Sequence, residues 1–171
     1  ESIYNTMKTY NNYHVDKIYI DAYEQISGAG GQTAPDVKAE INRKMERGAL
    51  IFNYSGHGGE LGLSHEGVIS VNQIRDWDNI NNMPLMFTAT CEFGRYDDPE
   101  RTSAGEYTLL NNKGGVVGIV TTTRPVYTSQ NNSINRAFFR SVFEPVDTTT
   151  GEMPRLGDVI RNAKNGSVVA N

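Results

Sequence analysis

A single cysteine in 171 residues leaves no partner for an internal disulfide. That count fits a reducing cytosol and equally an exported domain with a lone thiol, so it does not fix the compartment. Long apolar runs are missing too. No stretch approaches the ~20 residues that a membrane-spanning helix needs. Basic clusters are absent: 16 Lys and Arg are scattered among 20 Asp and Glu, for a net charge of −4. Nothing in that pattern suits a nucleic-acid backbone or an anionic membrane surface. The opening residues, ESIYNTMKTY, do not start with Met and lack the basic and apolar regions of a signal peptide. The last ten, NAKNGSVVAN, carry no evident helix cap. Both ends read as cuts. The expectation is one domain over residues 1–171, taken from a longer protein.

What is present is a repeated alternation of apolar strands and amphipathic helices. Ile3, Met7 and Tyr10 predict a helix near the start, and KIYIDAY (17–23) predicts a strand. ISGAGGQ (26–32) predicts a flexible loop. A helix follows with Thr33 as its cap, Pro35 in its first turn, Val37, Ile41 and Met45 on one face, and Gly48 as its stop. ALIFNYS (49–55), MPLMFTAT (83–90) and VVGIVTTT (116–123) read as strands buried on both faces. Between them lie a short helix at 71–77 and a second whose Ser103 and Glu106 fit a capping box. There Leu109 and Leu110 supply apolar surface and Gly114 and Gly115 end the helix. Ser133 is expected to cap a helix carrying Ile134, Ala137, Phe138 and Val142. A polar loop at 145–154 precedes a last helix with Leu156, Val159, Ile160 and Ala163. The order predicts an α/β fold with a mostly parallel sheet and helices on both faces.

In such folds ligands bind just beyond the carboxyl ends of the strands. His57 lies two residues past the strand at 49–55, and Cys91 directly follows the strand ending at 90. If those strands are parallel neighbours, both side chains emerge at one edge. An imidazole can then take the thiol proton and later return it to a leaving amine. Gly58 and Gly59 let a substrate backbone approach, and the N–H groups of Gly58 and Cys91 would form an oxyanion hole. The plainer alternative stays open: a cysteine at a strand end is often a small apolar residue, and a histidine among glycines is often a turn residue. His57, His65 and Cys91 are conceivable soft ligands, but no Cys-x-x-Cys or His-x-x-x-His spacing organises them, so no metal and no cofactor is expected.

SGHGG after one apolar strand and TATCEFG after the next resemble the His and Cys motifs of the caspase–legumain–gingipain clan of cysteine peptidases. TATCEFGRYDDPERTSAGE and GGVVGIVTTTRPVY are most similar to the gingipain family. Within it they sit nearest the C-terminal signal peptidases (sortases) of the type IX secretion system. The likeness runs from the strand at 17 to the helix near 143. It implies a caspase/gingipain-like fold, with His57 as general base and acid, Cys91 as nucleophile and Gly58 as oxyanion donor. It also implies Thr123, Arg124 and Tyr127 as substrate-binding residues, whose ordinary reading is a strand end and a proline turn. The implied activity is a cysteine endopeptidase that cleaves C-terminal sorting signals of secreted proteins, with possible transpeptidation. The implied setting is exported, at the outer membrane or cell surface of a Gram-negative bacterium. Partners would be protein or peptide substrates and other secretion-system components, with no nucleic acid and no membrane span. The alternative is a catalytically silent peptide-binding or scaffold domain of the same fold.

The likeness is incomplete. The family's acidic residue behind the histidine has no clear counterpart: Asp21 could orient the imidazole but reads more readily as a solvated strand-end carboxylate. No preference for Arg or Lys substrates is assigned. The run RYDDPER (95–101) could suggest calcium, which gingipains use, yet it lacks a calcium-loop pattern. It is expected instead to be a salt-bridged loop pinned beside Cys91, with Arg95 and Arg101 flanking its acids.

Overall fold

The computed structural model describes residues 2–169. In chain order it contains α1 (Ser2–Met7), a 3-10 turn (Ile20–Ala22), β1 (Ile26–Gly28), β2 (Gly31–Thr33), α2 (Pro35–Arg47) and β3 (Ile51–Ser55). Three two-residue strands follow, β4 (Gly58–Gly59), β5 (Gly62–Leu63) and β6 (Ile69–Ser70), then α3 (Val71–Asp76). The chain continues through β7 (Leu85–Ala89), α4 (Ala104–Leu110), β8 (Gly118–Val120), α5 (Thr128–Ser141) and α6 (Leu156–Val169). It separates into two compact units. One takes in the described residues up to Lys17 and from Tyr127 onward, and the other is Ile18–Val126.

The larger unit is built on a parallel sheet flanked by helices, with strand order β3-β7-β8. β7 is central, and all five of its residues are buried. Among the described residues β3 has a neighbour on one side only, and it is half-buried, which corrects the expectation of burial on both faces. α2 presents Val37, Ile41 and Met45 to the core, as its spacing predicts, and Gly48 ends it at φ 85°, a conformation that suits glycine. These side chains meet Leu63, Ile69, Ile74, Trp77, Met86 and Phe93 in one cluster. The capping box at Ser103 and Glu106 is present in full. A side-chain cap also starts α3, where the Ser70 hydroxyl oxygen accepts from the Gln73 N–H at 3.4 Å.

Several local expectations fail for identifiable reasons. KIYIDAY is not a strand: it makes a 3-10 turn at Ile20–Ala22, and Ile18, Ile20 and Tyr23 lean on the core as single side chains. β-Branched content alone does not make a strand where no neighbour offers a ladder. The glycine loop is a hairpin, β1 against β2, which absorbs Thr33 and moves the N-cap of α2 to Ala34. α4 stops at Leu110, before the glycines, and buries Ala104, Gly105 and Thr108 while Leu109 and Leu110 face outward. Small residues there bring the helix backbone close to the core. β8 is only three residues long.

The other unit packs α1, α5 and α6. α5 starts at Thr128, ahead of the expected Ser133, and buries Asn131, Asn135, Phe138 and Phe139. Tyr10 and Tyr13 stack on Phe143 with ring centroids 5.4 and 4.3 Å apart, and the Tyr10 hydroxyl donates to Glu144 at 2.6 Å. α6 buries Val159 and Ala163. The expected uncapped end at 162–171 lies partly outside the described residues.

Candidate functional site

β3 and β7 run parallel in register, with Ser55 beside Ala89 as the last pair. The Gly56 N–H extends the ladder to the Ala89 carbonyl at 3.3 Å. His57 and Cys91 each stand two positions beyond that pair, on neighbouring strands about 5 Å apart. They therefore leave the sheet at one carboxyl edge. The residues next to them are in contact. A side chain added at Gly58 would collide with the Thr90 hydroxyl, and would meet Leu63 at 3.1 Å and the Gly62 carbonyl at 3.2 Å. Only glycine fits that approach.

The His57 loop is held by main-chain bonds. Its carbonyl accepts from the Ser64 N–H at 2.8 Å and from the Tyr54 hydroxyl at 2.6 Å. The Ser64 bond makes Gly58 and Leu63 a non-hydrogen-bonded pair of the antiparallel ladder. The N–H and C=O of Gly58 consequently point off the outer edge of β4, where an incoming carbonyl oxygen could be received. Burial, and then the charge of Glu66, push the Tyr54 phenol up to about 12, so it stays a donor through the ordinary pH range.

The Cys91 loop is held differently. Thr90, with 1% exposure, offers its carbonyl to the Thr122 hydroxyl, and its own hydroxyl has no partner among the described residues. Gly94 donates to the Thr122 carbonyl at 3.1 Å. Glu92 takes φ 53°, an uncommon conformation for a residue with a side chain, immediately after the cysteine. Cys91 is half-buried, and its thiol donates to the Val126 carbonyl at 3.7 Å. No hydrogen bond links it to the His57 ring among the described residues. Unliganded sites commonly tighten such contacts only when substrate binds.

A cleft of about 580 Å³ opens beside His57. His65 lines it with its ring 5.0 Å from that of His57, and Glu60, Glu92 and Arg101 supply charge. Among the described residues, no group of three or more His, Cys, Asp or Glu could hold a metal ion.

The structure thus brings His57, Gly58 and Cys91 to one edge, with Thr123 and Arg124 on the segment that passes Cys91. Arg124 is engaged: it forms a two-pronged ion pair with Asp97 and bonds the Thr123 carbonyl. That guanidinium holds the Asp97 carboxyl at about 2. Tyr127 belongs to the other compact unit, is 78% exposed and precedes α5. Asp21 is exposed on the 3-10 turn, and the strand end expected to present it does not form. Arg95 and Arg101 do pin the 95–101 loop, but through Glu60 of the His57 loop, at 2.5 and 3.0 Å, and not through its own acids. Glu60 and Tyr54 were not signalled by the sequence. The only hint of Glu60 was its place directly after the histidine–glycine motif.

The sequence profile of peptidase family C25 matches residues 1–170. Among curated proteins nothing matches. Two solved structures share the fold: a complex of the pro- and mature domains of RgpB from Porphyromonas gingivalis, at TM-score 0.78, and the Arg-specific cysteine proteinase gingipain R (RgpB), at 0.72. Each is 18% identical over 98% of this chain, and the chain spans 36% of each of them. A third, described as a protease, aligns at TM-score 0.64 and 12% identity over 74% of this chain and 30% of its own.

Proposed function

The chain belongs to peptidase family C25, and from that premise we propose that it carries the Cys–His centre of a cysteine endopeptidase. One observation carries the reading: the register Ser55 beside Ala89, with Gly58 against Thr90, puts the His57 and Cys91 loops in contact at one sheet edge. His57 takes the thiol proton, and the Cys91 sulfur attacks the scissile carbonyl carbon. The carbonyl oxygen becomes an oxyanion and accepts from the N–H groups of Gly58 and Cys91. The imidazolium then protonates the departing amine, the C–N bond breaks, and a thioester remains. Water or an amine attacks the thioester, His57 removes its proton, and the thiol is regenerated. The segment Thr121–Val126 supports substrate binding beside the nucleophile. Thr123 is the nearer candidate there, because Arg124 is tied to Asp97. Tyr127 is proposed as a further contact of the same segment.

The finer role is cleavage of C-terminal sorting signals from secreted proteins, with transfer to an amine acceptor as the alternative to hydrolysis. It includes export to the surface of a Gram-negative cell and work alongside other secretion components. Its support is the TATCEFGRYDDPERTSAGE stretch. No helix among the described residues is long and apolar enough to cross a membrane. The test is Cys91→Ala in the full-length protein: uncleaved cargo should accumulate. Unchanged cargo processing with an intact fold would remove the catalytic claim.

A silent, scaffold-like reading draws on one observation, the thiol bonded to the Val126 carbonyl and not to imidazole. Loss of processing in both Cys91→Ala and His57→Ala separates the peptidase from the scaffold.

A further inference from the structure

Glu60 ties the two halves of the candidate centre together. It sits three residues after His57, and its side chain is 14% exposed. One carboxylate oxygen accepts from Arg95 at 2.5 Å and the other from Arg101 at 3.0 Å. Both arginines lie on the loop that follows Cys91. The Glu60 carbonyl also accepts from the Ala104 N–H at 2.6 Å, at the first turn of α4. Nothing equivalent competes for Arg95. Its Nε is buried without a partner among the described residues, Glu92 lies 3.9 Å away, and Asp98 acts on it only through its charge. The hydrogen bond to Glu60, and then its charge, accordingly raise the Arg95 pKa.

We propose that Glu60 is a positioning residue that fixes the distance between His57 and Cys91 by clamping both arginines of the nucleophile loop. This rests on the Cys–His reading above. The remaining ties of the two loops differ in kind: the His57 loop is anchored by its own short sheet, and the Cys91 loop by Thr122. Glu60 is the side chain that spans from one to the other through two charge-assisted bonds. Such a strut acts on the reaction through geometry, because a displacement of ~1 Å between reacting groups can cost ~100-fold in rate.

The experiment uses the full-length protein, with iodoacetamide alkylation of Cys91 followed across pH, and kcat and KM on a peptide substrate. An imidazole-paired thiol keeps reacting well below the ordinary thiol pKa of ~8.5. Glu60→Gln should lower kcat and the alkylation rate near about pH 6 by about tenfold, with KM within about twofold. Its alkylation profile should move toward that of a free thiol. Arg95→Ala removes the same strut from the other side and should reproduce the pattern, which covers the case of a misfolded Glu60 variant. A folded Glu60→Gln or Arg95→Ala protein with the wild-type profile and kcat overturns the inference. So does a loss that is uniform across pH and tracks only loss of fold. His57→Ala is the control. If it leaves the profile unchanged, the Cys–His reading itself fails; if it flattens the profile and Glu60→Gln does not, only the strut fails.

Discussion

The loops that carry His57 and Cys91 face each other at one sheet edge but are secured by different physics. The His57 loop is held by backbone: a short antiparallel sheet, a tyrosine hydroxyl on the His57 carbonyl and a glycine that no other residue can replace. The Cys91 loop has main-chain bonds too, from Gly94 to the Thr122 carbonyl, but it leans more on side chains: the Thr122 hydroxyl, the Glu60 clamp and the Asp97–Arg124 pair. Main-chain bonds respond little to salt, whereas the charged bonds of the clamp, shared by Glu60 of the His57 loop and the arginines of the Cys91 loop, are weakened by it.

Gly58 should give the largest effect. Gly58→Ala drives a methyl into Thr90 and toward the Gly62 carbonyl, so the His57 and Cys91 loops must part. We expect kcat/KM to fall by ~100-fold and stability to drop by about 1–3 kcal/mol, read from peptide kinetics and thermal unfolding. Gly59→Ala, with nothing within 4 Å of the added methyl, is the matched control and should stay near wild type. Equal losses in both would contradict the contact between the loops.

The hydroxyl bonds come next. Thr122→Val deletes the bond to the Thr90 carbonyl and Tyr54→Phe the bond to the His57 carbonyl, each worth about 0.5–1.5 kcal/mol. If the two loops are secured as described, only Thr122→Val should change Cys91 alkylation in the resting enzyme. Tyr54→Phe should instead remove a late component from the tyrosinate absorbance titration, near pH 12. The Tyr54 pKa is raised on folding, so its contribution is complete below about 10 and is lost as pH rises through about 12.

The smallest effect is expected at the exposed pair. Asp97 is lowered from 3.8 to about 2 by Arg124, so its contribution is complete above 3.8 and is lost as pH falls through about 2. The difference in thermal midpoint between wild type and Arg124→Ala should therefore close across that window. It should also narrow with added salt. A difference independent of both would mean that Arg124 acts through packing.

The parts legible in the sequence were those set by local pattern: the Val37, Ile41 and Met45 face, the capping box at Ser103, the buried run of β7 and the placement of His57 and Cys91 after apolar strands. What was not legible depends on partners far away in sequence. KIYIDAY looked like a strand because its residues favour one, but pairing is a property of neighbours. Leu109 and Leu110 looked like core because they are apolar, yet the close approach of α4 required the small residues beside them. Glu60 was unreadable for the same reason: its arginines are 35 and 41 positions away.

The central claim is that one imidazole and one thiol act on a common carbonyl. A crystal structure of the full-length protein with a peptidyl ketone bonded to Cys91 tests it most directly. The account predicts the His57 ring within about 4 Å of the sulfur, as a nucleophile–base pair requires, and the ketone oxygen accepting from the Gly58 N–H. An adduct with the His57 ring turned away from the sulfur, and its oxygen bound elsewhere, would contradict it.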